Sequence, residues 1–425
     1  MESDLDKHRG ALVADTDVDA EKRGSIDLTE EEVNRSDEHL LYSNRWTRKL
    51  LSWGVEERGI TPVAEHERTD TQFYKIFFIF LSANFNILSF SAGTLGPVTF
   101  GLGLRDSCLV ILFFNLLCSI PPAYLYERLA WIPVLVVFVV ALGVGGKHLS
   151  NPPPAVPATA SSILTFAGTI AGFVVTYSPI SSDYTIYYHP KVSSWRLFWY
   201  AYMGLNLPII LVQCLGAAVA VSVSAVPDWN TGYENSGVGG LIEAMLHPVG
   251  GFGKFLTVLV ALSVVGNVAP SLYSFGLGFQ IFMPFTSKVP RYVFSLLAIA
   301  IMLPLSIVGS HKFYDTLSNF LGIIGYWCSA FVGVIVGEHI VFRKNDFTAY
   351  DLSAWNKPGQ LPPGLAALGA CLLSCGLIIP SMDQAWFVGP IAKHTGDIGF
   401  EMAFAAAGIL YLPLRTLELR YWKMR

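Results

Sequence analysis

Charge is what this chain has least of. Asp, Glu, Lys and Arg make up only 14% of its 425 residues, where an ordinary soluble domain carries about a quarter. Sites for common enzyme chemistry are also missing. There is no Walker-type phosphate loop, no zinc-ligand spacing and no nucleophile–base pair, so an enzyme is not the expectation, and no cofactor or metal is called for. No repeated pore-loop signature marks a channel. The chain does not open on a charged segment followed by a short apolar run, so no cleaved signal peptide is indicated. Its six cysteines, Cys108, Cys118, Cys214, Cys328, Cys371 and Cys375, all lie in or beside apolar runs. That placement suits small packing residues better than disulfides or metal ligands.

Apolar length is what the chain has in abundance. It is 52% hydrophobic, with a mean hydropathy of +0.48. Runs long enough for a bilayer, roughly 18 residues or more, fall near 73–98, 106–125, 130–146, 160–182, 197–224, 252–282, 291–309, 314–341, 362–380 and 399–417. The expectation is an all-α integral membrane protein of ten spans. Lys and Arg set its orientation. Arg128, Lys191, Arg196, Lys288, Arg291, Arg343 and the final Arg415, Arg420, Lys423 and Arg425 fall on one side; only Arg105, Lys147, Lys254, Lys312 and Lys393 fall on the other. The loop Ser224–Gly251 has no basic residue and is expected outside. Both termini are then cytoplasmic.

Residues 1–70 form a charge-rich N-terminal tail, expected to be largely disordered. Its stretch 44–59 mixes aromatic, basic and apolar residues, and reads either as a segment lying on the inner membrane surface or as a plain linker. The membrane domain occupies 71–418, and 419–425 form a short cytoplasmic tail.

Two membrane-length segments carry Gly or Pro beside hydroxyls: Ser89-Phe-Ser-Ala-Gly-Thr-Leu-Gly-Pro97 and Thr176-Tyr-Ser-Pro-Ile-Ser-Ser-Asp-Tyr184. Freed backbone at membrane depth is tolerated only where it lines a cavity or is buried in protein, and paired breaks point to a transporter's binding site. The first break supplies Asn84, Asn86, Ser89, Ser91 and Thr94; the second supplies Tyr177, Ser178, Ser181, Ser182 and Asp183. Hydroxyls and carbonyls without a ring of charges suit a neutral, planar, hydrogen-bonding small molecule, on which Tyr177 would stack. A later span adds Asn267, Pro270, Ser271, Tyr273 and Ser274. Asn267 offers donor and acceptor together for the edge of a nucleobase, or else an interhelical hydrogen bond. Asp183 is either a carrier of a coupling proton or the cap of a half-helix.

The segments "LSANFNILSFSAGTLGPVTFGLGLRDSCLVILFFNLLCSIPPAY", "YERLAWIPVLVVF", "SPISSDYTIY" and "VVGNVAPSLYSFGLGFQ" resemble the fungal purine–cytosine permease family, of the nucleobase–cation symporter type 1 group. The resemblance covers residues 45–425. It implies a leucine-transporter-type inverted-repeat fold and uptake of cytosine and purines, or of vitamin B6 in some branches, across the plasma membrane. The implied partners are a nucleobase-like small molecule, a co-transported proton (sodium is the lesser alternative) and the lipid bilayer, with no nucleic acid. By position it puts Ser89, Ser91, Tyr177 and Ser178, with Asn267, Pro270 and Ser271, at the substrate and leaves Asp183 as the coupling candidate.

The chain departs from that pattern in three places. The eighth-span motif of cytosine and purine carriers, Asn-Asn-x-Pro-Asn, is here Asn267-Val268-Ala269-Pro270-Ser271, which points away from cytosine itself. The aromatic at Tyr177 is commonly Trp. Between "CSIPPAY" and "YERLAWIP" the third and fourth of twelve helices have no counterpart, leaving ten spans. The expectation is a transporter by descent that works poorly or not at all as this shortened chain, or a non-transporting fragment or membrane partner of a full-length permease.

Overall fold

The computed structural model describes residues 67–119, 157–189, 191–283, 289–309, 312–351 and 359–423 in the main, with Val63 and a few single positions between. The expected tail, its segment 44–59 and the span 130–146 lie outside the described residues. Among the described residues, apart from one two-residue hairpin, β1 (Asp383–Gln384) with β2 (Phe387–Val388), regular structure is helical. In chain order the helices are α1 Tyr74–Asn84, α2 Ile87–Val98, α3 Leu104–Cys118, α4 Ala160–Val175, α5 Ser194–Ser222, α6 Pro227–Leu246, α7 Gly251–Leu262, α8 Val264–Phe282, α9 Arg291–Gly309, α10 Phe313–Gly337, α11 Leu365–Ser381, α12 Ala392–Thr395 and α13 Gly399–Lys423. A 3₁₀ turn, Ser178–Tyr184, follows α4.

Among the described residues six helical stretches are long and apolar enough to cross a membrane, and the bent pair α1–α2 makes a seventh. Of the other expected spans, 106–125 and 362–380 appear as the shorter helices α3 and α11. The expected outer loop Ser224–Gly251 is instead mostly helix α6. Pro227 opens it, where the missing N–H costs nothing, and Trp229, Leu241, Ile242, Met245 and Leu246 are buried against Leu256 and Val260 of α7. Gly237, at φ +58, breaks α6 so that its halves fold back, Gly232 against Gly240.

The first interruption lies upstream of its expected place. Ser89–Val98 is continuous helix, and the chain breaks at Phe85–Asn86, where α1 and α2 meet at 57°. The Asn86 side-chain oxygen Oδ1 accepts from the amides of Leu88 and Ser89, at 2.8 and 3.0 Å, and so satisfies two of the donors that a helix start leaves open. A third, the Ile87 amide, donates to the Ser263 hydroxyl at the α7–α8 junction, 3.3 Å away. The glycines that suggested a break there serve close helix crossing instead. A Cβ on Gly93 would sit 1.9 Å from the Gln213 carbonyl oxygen, and one on Gly216 would sit 2.1 Å from that of Phe90, so α2 and α5 meet backbone to backbone. Pro97 falls in the last turn of α2.

The second interruption is where the sequence placed it. After Val175 the chain leaves the α-helix and runs as the 3₁₀ turn Ser178–Tyr184. The entrance of α1 and the exit of this turn are joined: the Asp70 amide donates to Tyr187 O at 3.1 Å and His189 N donates to Asp70 O at 3.0 Å. The two broken segments therefore share one end of the bundle. At that same end α10, α11 and α13 are clamped by charge. Arg415 grips Glu338 with Nε and Nη2, both at 3.1 Å, and holds Glu418 at 2.7 Å.

Candidate functional site

Three elements meet at the first break. From the turn after α4, the Tyr177 hydroxyl donates to Asn84 Oδ1 at 3.0 Å. From α8, Asn267 Nδ2 donates to that same hydroxyl at 2.9 Å and to the Ala83 carbonyl at 2.9 Å. Asn84 passes the chain on, its Nδ2 donating to Phe80 O at 3.0 Å. Tyr177 is buried and its ring meets Phe80 edge-on, centroids 5.6 Å apart. Polar groups at this depth are costly unless paired, and here each completes another. Asn267, half-buried, has no partner for its side-chain oxygen Oδ1 among the described residues, and neither has the buried Ser178 hydroxyl. Two acceptors are thus available beside a conjugated ring, with no charge among them.

Other expected site residues face elsewhere. Ser89 donates to Asn84 O and Ser91 to Ile87 O, at 2.8 Å for the latter, so both hydroxyls stabilise the broken helix itself. Ser271 sits on the exposed side of α8 and donates to Asn267 O at 3.1 Å. Pro270 contributes its carbonyl, which accepts from the Tyr184 hydroxyl at 2.7 Å. Asp183 lies inside the 3₁₀ turn. Its carboxylate lies near Ser274 of α8 and the Arg291 guanidinium at the start of α9.

Below the Asn267–Tyr177 contact, on the side where the broken segments join, stands a stack the sequence did not single out as a unit. Tyr184 lies on Tyr273, centroids 6.0 Å apart, and the Arg291 guanidinium covers Tyr273 at 4.2 Å. Ser274 reaches the Tyr184 hydroxyl at 3.0 Å. Asn84 was visible only as a polar group near the break; its role needed the position of Asn267, far along the chain. A legible signal did exist for Asn86, an N-cap residue directly before an apolar run.

A family model described as "Permease for cytosine/purines, uracil, thiamine, allantoin" matches residues 62–126 and 122–360. The chain belongs to this family. The purine-cytosine permease fcyB of Emericella nidulans is 30% identical, the alignment covering 88% of this chain and 91% of the relative. The purine-cytosine permease FCY2 of Saccharomyces cerevisiae is 28% identical over 89% of each. The vitamin B6 transporter TPN1 of the same yeast is 23% identical over 93% of this chain and 94% of its own length. A solved structure of Mhp1, a nucleobase-cation-symport-1 family transporter in a closed conformation with bromovinylhydantoin bound, covers 85% of this chain at 15% identity and a TM-score of 0.48. The chain is accordingly a multi-pass membrane permease and not an enzyme. In this permease Tyr177 and Asn267 are the expected site residues that meet each other, and Ser178 is the one left with an unmet hydroxyl.

Proposed function

We propose that the permease binds a neutral nucleobase-like heterocycle between the first break, Tyr177 and Asn267, and moves it with a proton across the plasma membrane, both termini being cytoplasmic. The observation that carries this reading is the relay from Asn267 through Tyr177 to Asn84. It fixes the two side chains best able to recognise such a ring. The open Asn267 carbonyl accepts a ring N–H, and the Ser178 hydroxyl can serve a second edge atom. A charged substrate would find no counter-ion at this contact. Asp183, held near Ser274 and Arg291, is the candidate for the coupling proton.

We further propose that this chain lacks two helices between α3 and α4 and transports weakly or not at all. The two family-model matches meet at 122–126, where the sequence joins the second span to the fifth. The alignment with fcyB runs to 463 positions, whereas 88% of this chain is about 374 residues, so about 89 positions are filled by the relative alone. The stretches Gly251–Phe282 and Arg291–Gly309 are only 11% buried, against 61% and 56% for Ala160–Tyr184 and Ser194–Ala225. Two spans left bare on one side fit a bundle from which their packing partners are absent.

Uptake in permease-null cells tests both proposals. This chain should give little uptake above background. A version with the two helices restored should take up labelled hypoxanthine, with competition by adenine, cytosine, uracil and pyridoxine ranking the substrate. Robust uptake by the chain as it stands would refute the second proposal, and a restored version inert toward every compound would refute the first. Co-purification with an intact permease would favour the alternative role as its membrane partner.

A further inference from the structure

At the end of the bundle opposite Arg415, buried acceptors collect around Asp397. This residue precedes α13 and is 8% exposed. One carboxylate oxygen, Oδ1, accepts from the Gly399 amide at 2.9 Å. The other, Oδ2, accepts from the Tyr326 hydroxyl of α10, from the Asp383 amide at 3.1 Å and from Gln384 Nε2 at 3.3 Å. The Asp397 amide itself donates to Thr165 Oγ1 of α4 at 2.9 Å. The carboxylate therefore knots three segments, α10, the β1–β2 hairpin and α13, and the backbone amide of the same residue adds α4.

The knot is short of donors. Gln384 is 5% exposed, spends its amide nitrogen on Asp397 and Tyr326, and leaves its carbonyl oxygen unpartnered. Ser381, at the end of α11 and fully buried, has an unpartnered hydroxyl. One turn into α13 and four positions from Asp397, both oxygens of Glu401 are buried with no partner among the described residues. The titratable neighbours are Tyr326 on α10, the exposed Asp383 on the hairpin and the buried Cys118 on α3, which feels Glu401. Lys393 and His394 on α12 are exposed. No Lys, Arg or His forms an ion pair with either carboxylate among the described residues.

Two buried carboxylates that close to each other, without a cation, do not both stay ionised. Their environments also differ, since Asp397 has four donors and Glu401 has none. One added proton cancels one charge and supplies one missing donor. The geometry points to a proton-binding site formed by Glu401 and Asp397, in which Glu401 holds the proton and Asp397 keeps the charge that ties α10 and the hairpin to α13. This inference does not rest on the proposed substrate site, and Asp183 plays no part in it. It adds a protonatable group whose loss would loosen the outer anchor of α4, the helix that leads to Tyr177.

The test uses the full chain purified in lipid nanodiscs. Infrared difference spectra across a pH titration should show a protonated-carboxyl band that disappears in Glu401→Gln and persists in Asp383→Asn. Thermal stability supplies a second readout. Glu401 is the group proposed to hold its proton in the folded chain and to lose it to solvent in the unfolded one. A group raised on folding stabilises at low pH and loses that contribution as pH rises through its folded value. The melting temperature should therefore fall as pH rises, and Glu401→Gln should flatten that slope. A band or slope unchanged in Glu401→Gln would overturn the inference. So would a melting temperature raised by sodium over choline in the parent but not in Glu401→Gln, because the occupant would then be a metal ion.

Discussion

Asn267 and Tyr177 stand 90 positions apart in the chain, yet the amide of one donates to the hydroxyl of the other at 2.9 Å. The contact ties α8 to the second interruption. Through Asn84 and the Ala83 carbonyl it reaches the first as well. Three polar groups that would each be costly at membrane depth are thereby made mutually dependent.

Removing the amide exposes that dependence. Asn267→Ala deletes the donor to Ala83 O and Tyr177, together with the open carbonyl proposed to meet the substrate. At about 1 kcal/mol for each neutral hydrogen bond, nucleobase affinity in the helix-restored permease should fall by about tenfold or more. Equilibrium binding of labelled hypoxanthine measures this, and unchanged affinity would show that Asn267 is only interhelical glue.

The first break should depend on its cap. Asn86→Ala strips the acceptor from the Leu88 and Ser89 amides and should cost about 0.5–2 kcal/mol. Asn86→Asp should recover most of the loss, because its carboxylate can accept the same bonds. Thermal unfolding in detergent distinguishes the pair, and equal losses would mean that another group caps α2.

Glycines in this bundle should divide sharply by contact. Gly93→Ala drives a methyl to 1.9 Å from the backbone oxygen of Gln213 and should destabilise by about 1–3 kcal/mol or more. Gly278→Ala, in α8 with nothing within 4 Å, should be neutral or stabilising by up to about 1 kcal/mol. Paired melting curves provide the measurement. Equal effects would place the α2–α5 crossing elsewhere.

Glu338 lies between two arginines of unequal worth. Arg415→Ala leaves its carboxylate without its two-point partner and should cost about 3–5 kcal/mol. Arg343, its side chain 31% exposed, should cost no more than about 1 kcal/mol. A double-mutant cycle with Glu338→Gln isolates the Arg415 term, and additivity would mean that the pair is not coupled.

Local chemistry was legible at the second break, where Pro179 and its flanking hydroxyls leave little choice but to leave the α-helix. It misled at the first. Gly93 and Gly96 carry the same local signature whether they end a helix or let another element approach, and only the positions of α5 beside Gly93 and of Ser107 and Phe166 beside Gly96 distinguish the two. Ser89 and Ser91 are site candidates by type, but a hydroxyl can also satisfy itself on nearby backbone: Ser91 does so on the preceding turn of α2, and Ser89 does so across the break on Asn84 O. Nothing local marks Glu401 as different from an acid in an ordinary first helical turn; its buried oxygens depend on α3, α10 and α11.

Composition and spacing were enough by themselves to establish a helical membrane protein, the order of most of its spans and the second interruption, and the resemblance of its contiguous motifs pointed to the family. Those properties follow from hydrophobic length and from motifs contiguous in the chain. Tertiary structure alone decided where the first helix breaks, which polar groups remain open beside Tyr177, and which carboxylates are buried together. Each of those depends on groups brought together across distant parts of the chain, and burial, which makes an unpaired polar atom costly, is a property of the packed bundle and not of any segment in it.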